Sequence, residues 1–372
     1  MHIQSLGSGY GSRDIYLNNA ACGLISNEGA QMASSFFNEM RERAHERAMD
    51  WRLEEGPRVK ELSAKFLGAQ KEELAFIPNF SFGMFSLVQS LKPRKKVMLY
   101  REDYPSLTYP FQLGGFDIHW LDSDDNYHLS MDEIEDRILE EKIEILALSH
   151  VQWLSGFTID IERLGKFCLK YDVFFIVDAT QSLGARPIHF GKIGCDALIA
   201  SCYKWMNAGF GLGLMCIRKE ALKEHPPVIA GFGSLRPKGG EWVYQPSIHS
   251  YEPGSLHMPG FLILEQAIKE KEKIGLQKIL LHNRSLILRL LEGLQDLHIM
   301  VLGEEDVEYR TGIIGIKGNL DLMEKLDQKD IKVSLRNGYL RVAPHFYNNS
   351  EDIDALLNAL DTLSVNSLKE NN

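Results

Sequence analysis

The sequence predicts an α/β fold built on a mostly parallel sheet. Three observations lead there. Short apolar runs, such as residues 143–149 and 173–177, alternate with stretches of helical period, such as 131–141 and 161–170. Those runs are apolar almost without interruption, as in strands covered on both faces. His150, Asp178 and Lys204 each follow such a run directly. Strands alternating with helices imply right-handed crossovers and parallel pairing. Ligands of such sheets bind just past the carboxyl ends of the strands.

In chain order, residues 28–49 have helical period, many charges and no proline, and read as one helix. Residues 74–77 read as a short strand and 82–91 as the helix after it. Strands are expected at 97–100 and 116–121, and an amphipathic helix at 131–141. A buried strand follows at 143–149, a helix at 161–170, and strands at 173–177, 197–201 and 214–217. The texture changes after Gly254. A long helical stretch at 261–297 is broken near Ile274-Gly275, strands fall at 313–316 and 339–342, and a last helix at 352–363. The polar tail from Ser364 is expected to fray. The expected division is a large unit over 16–250 and a smaller α/β unit over 251–372 together with 1–15.

Composition sets limits. The chain has 372 residues, 44% hydrophobic and 25% charged, which suits an ordinary globular protein of two units. A net charge of −10 argues against non-specific binding of nucleic acid. No apolar run approaches the length of a membrane span. Met1-His2-Ile3-Gln4-Ser5 lacks the charged and apolar regions of a secretory signal. Five cysteines, at 22, 168, 195, 202 and 216, show no metal-ligand spacing, so no metal is expected and a cytoplasmic setting is.

The chemistry gathers in two segments, Ile176-Val177-Asp178-Ala179-Thr180-Gln181-Ser182 and Ser201-Cys202-Tyr203-Lys204-Trp205. Singly, an Asp after a strand serves a turn or a cap, and a Lys is a solvated charge. Together they match the needs of pyridoxal phosphate. A lysine forms the Schiff base, and a carboxylate keeps the pyridine nitrogen protonated so that the ring accepts electrons.

With Gln181 three residues after Asp178 and Ser201 three before Lys204, this pair resembles the class V aminotransferase family of fold-type I enzymes. That family includes cysteine desulfurases, selenocysteine lyases and kynureninases. The resemblance implies a large domain with a mostly parallel seven-stranded sheet, a smaller C-terminal domain, and an amino-acid substrate. It also implies roles. Lys204 carries the cofactor and shuttles a proton, Asp178 faces the ring nitrogen, and Gln181 bonds the phenolic oxygen. Phe80 through its backbone N–H, and the hydroxyls of Ser81 and Tyr203, hold the phosphate at a helix start, and Ser201 also binds the cofactor. His150 stacks on the ring. Ser255, in Gly254-Ser255, reaches the phosphate of the neighbouring subunit, which implies a homodimer with shared sites. Arg341 grips the substrate carboxylate, with Arg336 as second choice.

Three departures bear on the reaction. Tyr203 stands where desulfurases have histidine, and kynureninases resemble this chain there. Trp153 stands where desulfurases have asparagine. The stretch 331–340, where desulfurases of this group carry the persulfide-forming cysteine, has none. Cys22 is read as a small pocket residue. The expectation is a pyridoxal-phosphate enzyme, an aminotransferase or lyase. Two alternatives stand beside it: a kynureninase-like hydrolase, and a non-catalytic homologue acting as a binding protein, which the presence of Lys204 opposes.

Overall fold

The structure is a computed structural model that describes residues 9–11, 14–91, 95–124, 127–244, 246–303 and 305–369, with side chains through 363. β1 (Ile15–Tyr16) leads into α1 (Asn27–Arg43), which Ser26 caps by accepting from the Gly29 N–H. The single helix expected at 28–49 breaks at Ala44, whose φ is +40°. The chain resumes as α2 (His45–Asp50) and, past a wide turn, α3 (Gly56–Leu67). The sequence reading left α3 out.

The large sheet then assembles from β2 (Leu74–Ile77), α4 (Phe80–Ser90), β3 (Lys96–Tyr100), α5 (Pro105–Gly114), β4 (Asp117–Leu121), α6 (Met131–Glu141), β5 (Ile145–Ser149), α7 (Ile161–Lys170), β6 (Phe174–Asp178), α8 (Phe190–Ile193), β7 (Ala197–Ser201) and β8 (Gly213–Ile217). Strand order is β2-β8-β7-β6-β5-β3-β4. All pairs are parallel except those of β8, which runs antiparallel to β2 and β7. Alternation decides the two faces. Leu146, Leu148, Phe175 and Val177 enter one core, while Ile145, Ala147, Phe174 and Ile176 enter the other. A sheet covered on both sides leaves only its strand ends for polar chemistry.

After β8 come α9 (Lys219–Glu224), the hairpin of β9 (Leu235–Lys238) and β10 (Glu241–Tyr244), and then α10 (Met258–Ile274). The sequence reading assigns α10 to the smaller unit. Its Phe261, Leu264 and Ile268 pack instead into the core of the large sheet, and the break at Gly275 is where the chain passes on. The rest is α11 (Leu276–Asp296), β11 (Val301–Leu302), β12 (Ile314–Lys317), α12 (Leu320–Asp327), β13 (Ile331–Lys332), β14 (Ser334–Arg336), β15 (Tyr339–Val342) and α13 (Ser350–Lys369). α13 stays helical past Ser364, where fraying was expected. A four-stranded antiparallel sheet, β11-β12-β15-β14, buries Ile314, Ile316, Leu340 and Val342 with Leu290 of α11 and Leu356 of α13. β1 pairs in parallel with β13 as a two-stranded sheet of its own, and Leu17 just after β1 packs into the same core as the four-stranded sheet, which ties the N-terminal segment to the smaller unit.

Candidate active site

Parallel pairing sets Ser149 of β5 beside Asp178 of β6. Asp178 is 4% exposed, and its Oδ1 accepts the Thr180 N–H at 2.8 Å. Thr180 Oγ1 in turn accepts the Ser201 N–H at 3.2 Å, which ties the turn after β6 to the end of β7. Gln181 is held at both ends of its amide. Its Oε1 accepts from Trp205 Nε1 at 2.7 Å, and its Nε2 donates to the Ala20 carbonyl at 3.1 Å. One amide N–H is left over.

Lys204 follows β7 and is 6% exposed. Its Nζ has no hydrogen-bond or ion-pair partner among the described residues, and lies 5.4 Å from the Tyr104 ring centroid and 5.6 Å from that of Tyr203. Burial pushes the Lys204 amine well below its ordinary pKa, Arg341 pushes it further, and Asp178 pulls the other way. Burial likewise pushes the Asp178 carboxyl up, against the Thr180 hydrogen bonds. Arg341, on β15, is 3% exposed. Its Nη1 donates to the Trp153 carbonyl at 2.9 Å, while Nε is buried without a partner among the described residues. Burial and Arg336 hold its pKa down to about 10, so it is charged at neutral pH.

The fourth element is the start of α4. Asn79 caps it through the Phe82 N–H at 2.9 Å. The Phe80 N–H, expected to meet a phosphate, donates to Ser201 Oγ at 3.0 Å. The Ser81 N–H between them has no acceptor among the described residues, which makes it the unspent donor. Tyr203 stacks on Phe210 at 4.7 Å, and burial pushes its phenol up to about 12, so it is a proton donor at neutral pH. Phe80, Ser81, Tyr104, Ser149, Trp153, Asp178, Thr180, Gln181, Ser201, Tyr203 and Lys204 line one cleft.

Two expected residues lie elsewhere in this chain. His150 is not in the cleft. One step along a pleated strand end reverses the side chain, so Ser149 faces the cleft and His150 enters a separate cavity with Arg186 and Phe157. Burial and Arg186 keep that imidazole neutral. Ser255 is exposed ahead of α10 and does not line its own chain's cleft. Tyr104, which the sequence reading passed over, does line it. Its available signal was an aromatic residue just past β3, at the same carboxyl edge as Asp178.

A buried amine without a partner, a buried carboxylate, an unspent N–H at a helix start and a guanidinium with donors to spare are the set that pyridoxal phosphate and an amino acid require, and the residues present fit that cofactor. Fold and site define a pyridoxal-phosphate-dependent enzyme of fold type I. A sequence profile described as Aminotransferase class-V matches residues 15–356, and the chain belongs to that family. It is 25% identical to a probable cysteine desulfurase of Pyrococcus abyssi, with 95% of each chain covered. It is 24% identical to the uncharacterized aminotransferase YcbU of Bacillus subtilis, over 82% of each. Among solved structures, apo cysteine desulfurase from Thermococcus onnurineus NA1 is similar at TM-score 0.86, 23% identity and 94% of each chain. The cystine C-S lyase C-DES, in complex with its product cysteine persulfide, is similar at TM-score 0.87 and 18% identity, covering 94% of this chain and 98% of that one.

Proposed function

We propose that this enzyme acts on a free α-amino acid, as an aminotransferase or lyase, in a homodimer with shared sites in the cytoplasm. One observation carries the reading. Lys204 and Arg341 are both buried, both lack an acidic partner in contact among the described residues, and lie close enough for one charge to depress the other's pKa.

When bound, pyridoxal phosphate supplies an aldehyde for amines and a ring that accepts the electrons of a bond broken at the α carbon. Lys204 would hold it through Nζ, and Asp178 would meet the ring nitrogen. The Ser81 N–H, with the hydroxyls of Ser201 and Tyr203, would take the phosphate. The spare Gln181 N–H would meet the phenolic oxygen, and the Tyr104 ring would cover the face that the sequence reading gave to His150. Arg341 grips the substrate carboxylate through Nε and Nη2. Lys204 Nζ, its charge disfavoured by burial, serves as the base that takes the α proton and later returns it.

Desulfuration through a cysteine of this chain lacks its nucleophile. Four cysteines are fully buried. Burial pushes the Cys22 thiol up, and its Sγ lies 3.5 Å from the Gly23 carbonyl. A lyase acting without an enzyme-borne thiol, as the name cystine C-S lyase describes for C-DES, stays compatible with this cleft. The reading is tested with Lys204→Ala and Cys22→Ser. Lys204→Ala should lose all turnover and the cofactor–protein bond that borohydride reduction fixes, while Cys22→Ser keeps both. Turnover surviving in Lys204→Ala would reject the assignment, and turnover abolished in Cys22→Ser would restore a desulfurase.

A further inference from the structure

A second cavity of about 340 Å³ adjoins the Lys204 cleft. Trp153 belongs to the walls of both. Four aromatic side chains, Tyr100, Tyr127, Trp153 and Tyr339, stand on its walls beside polar ones that include Arg101, Glu102 and Asp103. For scale, a cavity of about 150 Å³ lined by apolar side chains takes up benzene. Trp153 is fixed by its indole N–H, which donates to the Glu102 carbonyl at 3.0 Å, and it meets Tyr104 edge-on.

The position of this cavity follows from β15. Leu340 and Val342 point into the core of the smaller unit. Tyr339 and Arg341 therefore share the opposite face, two residues or about 6.8 Å apart. Arg341 donates to the backbone of Trp153, and Tyr339 lines the cavity on whose wall Trp153 stands. An amino acid held by its carboxylate at Arg341 and by its α carbon at Lys204 thus has this cavity beside it. Among the described residues the walls offer no unspent cation: Arg101 is committed to Asp122 and lies over Trp120. Asp103 is spent on Ser149 and the Tyr104 N–H. Glu102, held by the Tyr100 hydroxyl at 3.1 Å, remains as an acceptor on the wall.

We infer that this cavity receives the substrate side chain, and that the enzyme prefers α-amino acids with a flat aromatic side chain over small or anionic ones. The inference rests on the amino-acid reading above but not on which bond is broken. It is tested on the cofactor-loaded enzyme by titrating L-phenylalanine, L-tyrosine, L-tryptophan, L-alanine, L-serine, L-cysteine and L-aspartate against the visible band. The aromatic amino acids should bind at least tenfold more tightly than alanine. Tyr339→Ala should erase that preference while alanine binding stays unchanged, and Tyr127→Ala, on a separate loop, should reduce it independently. Equal or tighter binding of alanine, serine or cysteine overturns the inference and leaves the amino-acid reading standing. Preferred binding of aspartate overturns it in favour of Arg336. If no amino acid perturbs the band of loaded enzyme, the amino-acid reading itself falls.

Discussion

Lys204 is stored where its charge is disfavoured, and that has a consequence for stability. Its folded pKa lies below the unfolded value of about 10.4. A depressed lysine leaves stability intact above that unfolded value, and stability is lost as pH falls towards the folded one. Asp178 behaves oppositely. Its raised pKa means that stability is lost as pH rises through its folded value. After cofactor removal, Lys204→Met should therefore melt higher than the native protein at neutral pH, and the gap should close towards pH 10. Each kcal/mol of relief moves Tm by roughly 2–4 °C in domains of about 150–250 residues. A lower Tm for Lys204→Met at pH 7 would contradict the unpartnered amine. Arg341 has a separate signature. Hydrogen bonds to a charged group contribute about 1.5–3 kcal/mol, so Arg341→Ala should weaken substrate binding by roughly ten- to a hundredfold, with the visible band unchanged. Arg341→Lys should recover only part, because an ammonium lacks the planar fork. Loss of cofactor from Arg341→Ala would move the guanidinium from substrate to cofactor.

Elements reach the site through close backbone approaches, and Gly184 is one of them. Its φ is +94°, and an added Cβ would lie 2.5 Å from the Trp205 carbonyl oxygen and 2.9 Å from the Met206 nitrogen. Trp205 follows Lys204 and orients Gln181, so Gly184→Ala should displace both. Cofactor titration should then show affinity weakened by about tenfold or more, the effect of roughly 1.4 kcal/mol. Gly115, which ends α5 at φ +72° with open space around it, is the control: its alanine variant carries backbone strain alone and should bind cofactor normally. The same scale explains what was readable. The inner strands of the large sheet were legible because burial on both faces makes them apolar throughout. Asp178, Gln181, Tyr203 and Lys204 were legible because each sits within two or three residues of such a strand. α5 has no counterpart in the sequence analysis; Pro110 disfavours a helix by type, but Leu107 and Phe111 bury this one against the sheet. The side chosen by His150 was not legible, since a shift of one residue reverses a pleated strand and only the fold fixes the count. Tyr104 escaped for a related reason. Its link to Lys204 spans a hundred residues of chain and exists only once β3 and β7 lie in one sheet.

Across the whole molecule, one chain leaves large apolar side chains in water. Phe210, beside Tyr203, is 63% exposed, and Phe232 and Trp242, in contact across the hairpin region, are 72% and 58% exposed. The proposed homodimer would cover such side chains. Ser255, exposed and outside its own cleft, has the matching property: it is free to complete the cleft of a second copy, as in an isologous dimer. Light scattering should give twice 42.3 kDa for the native protein. Which chain Ser255 serves is settled by mixing two inactive variants, Lys204→Ala and Ser255→Glu, unfolding them together and refolding with cofactor. If Ser255 acts across the interface, half of the dimers are mixed. Each mixed dimer has one cleft with a native Lys204 from one chain and a native Ser255 from the other, and about a quarter of the native rate returns. If Ser255 acts within its own chain, every cleft carries one of the two lesions and no rate returns. A mixture as inactive as its parents, with dimers verified by mass, would remove the shared-site arrangement.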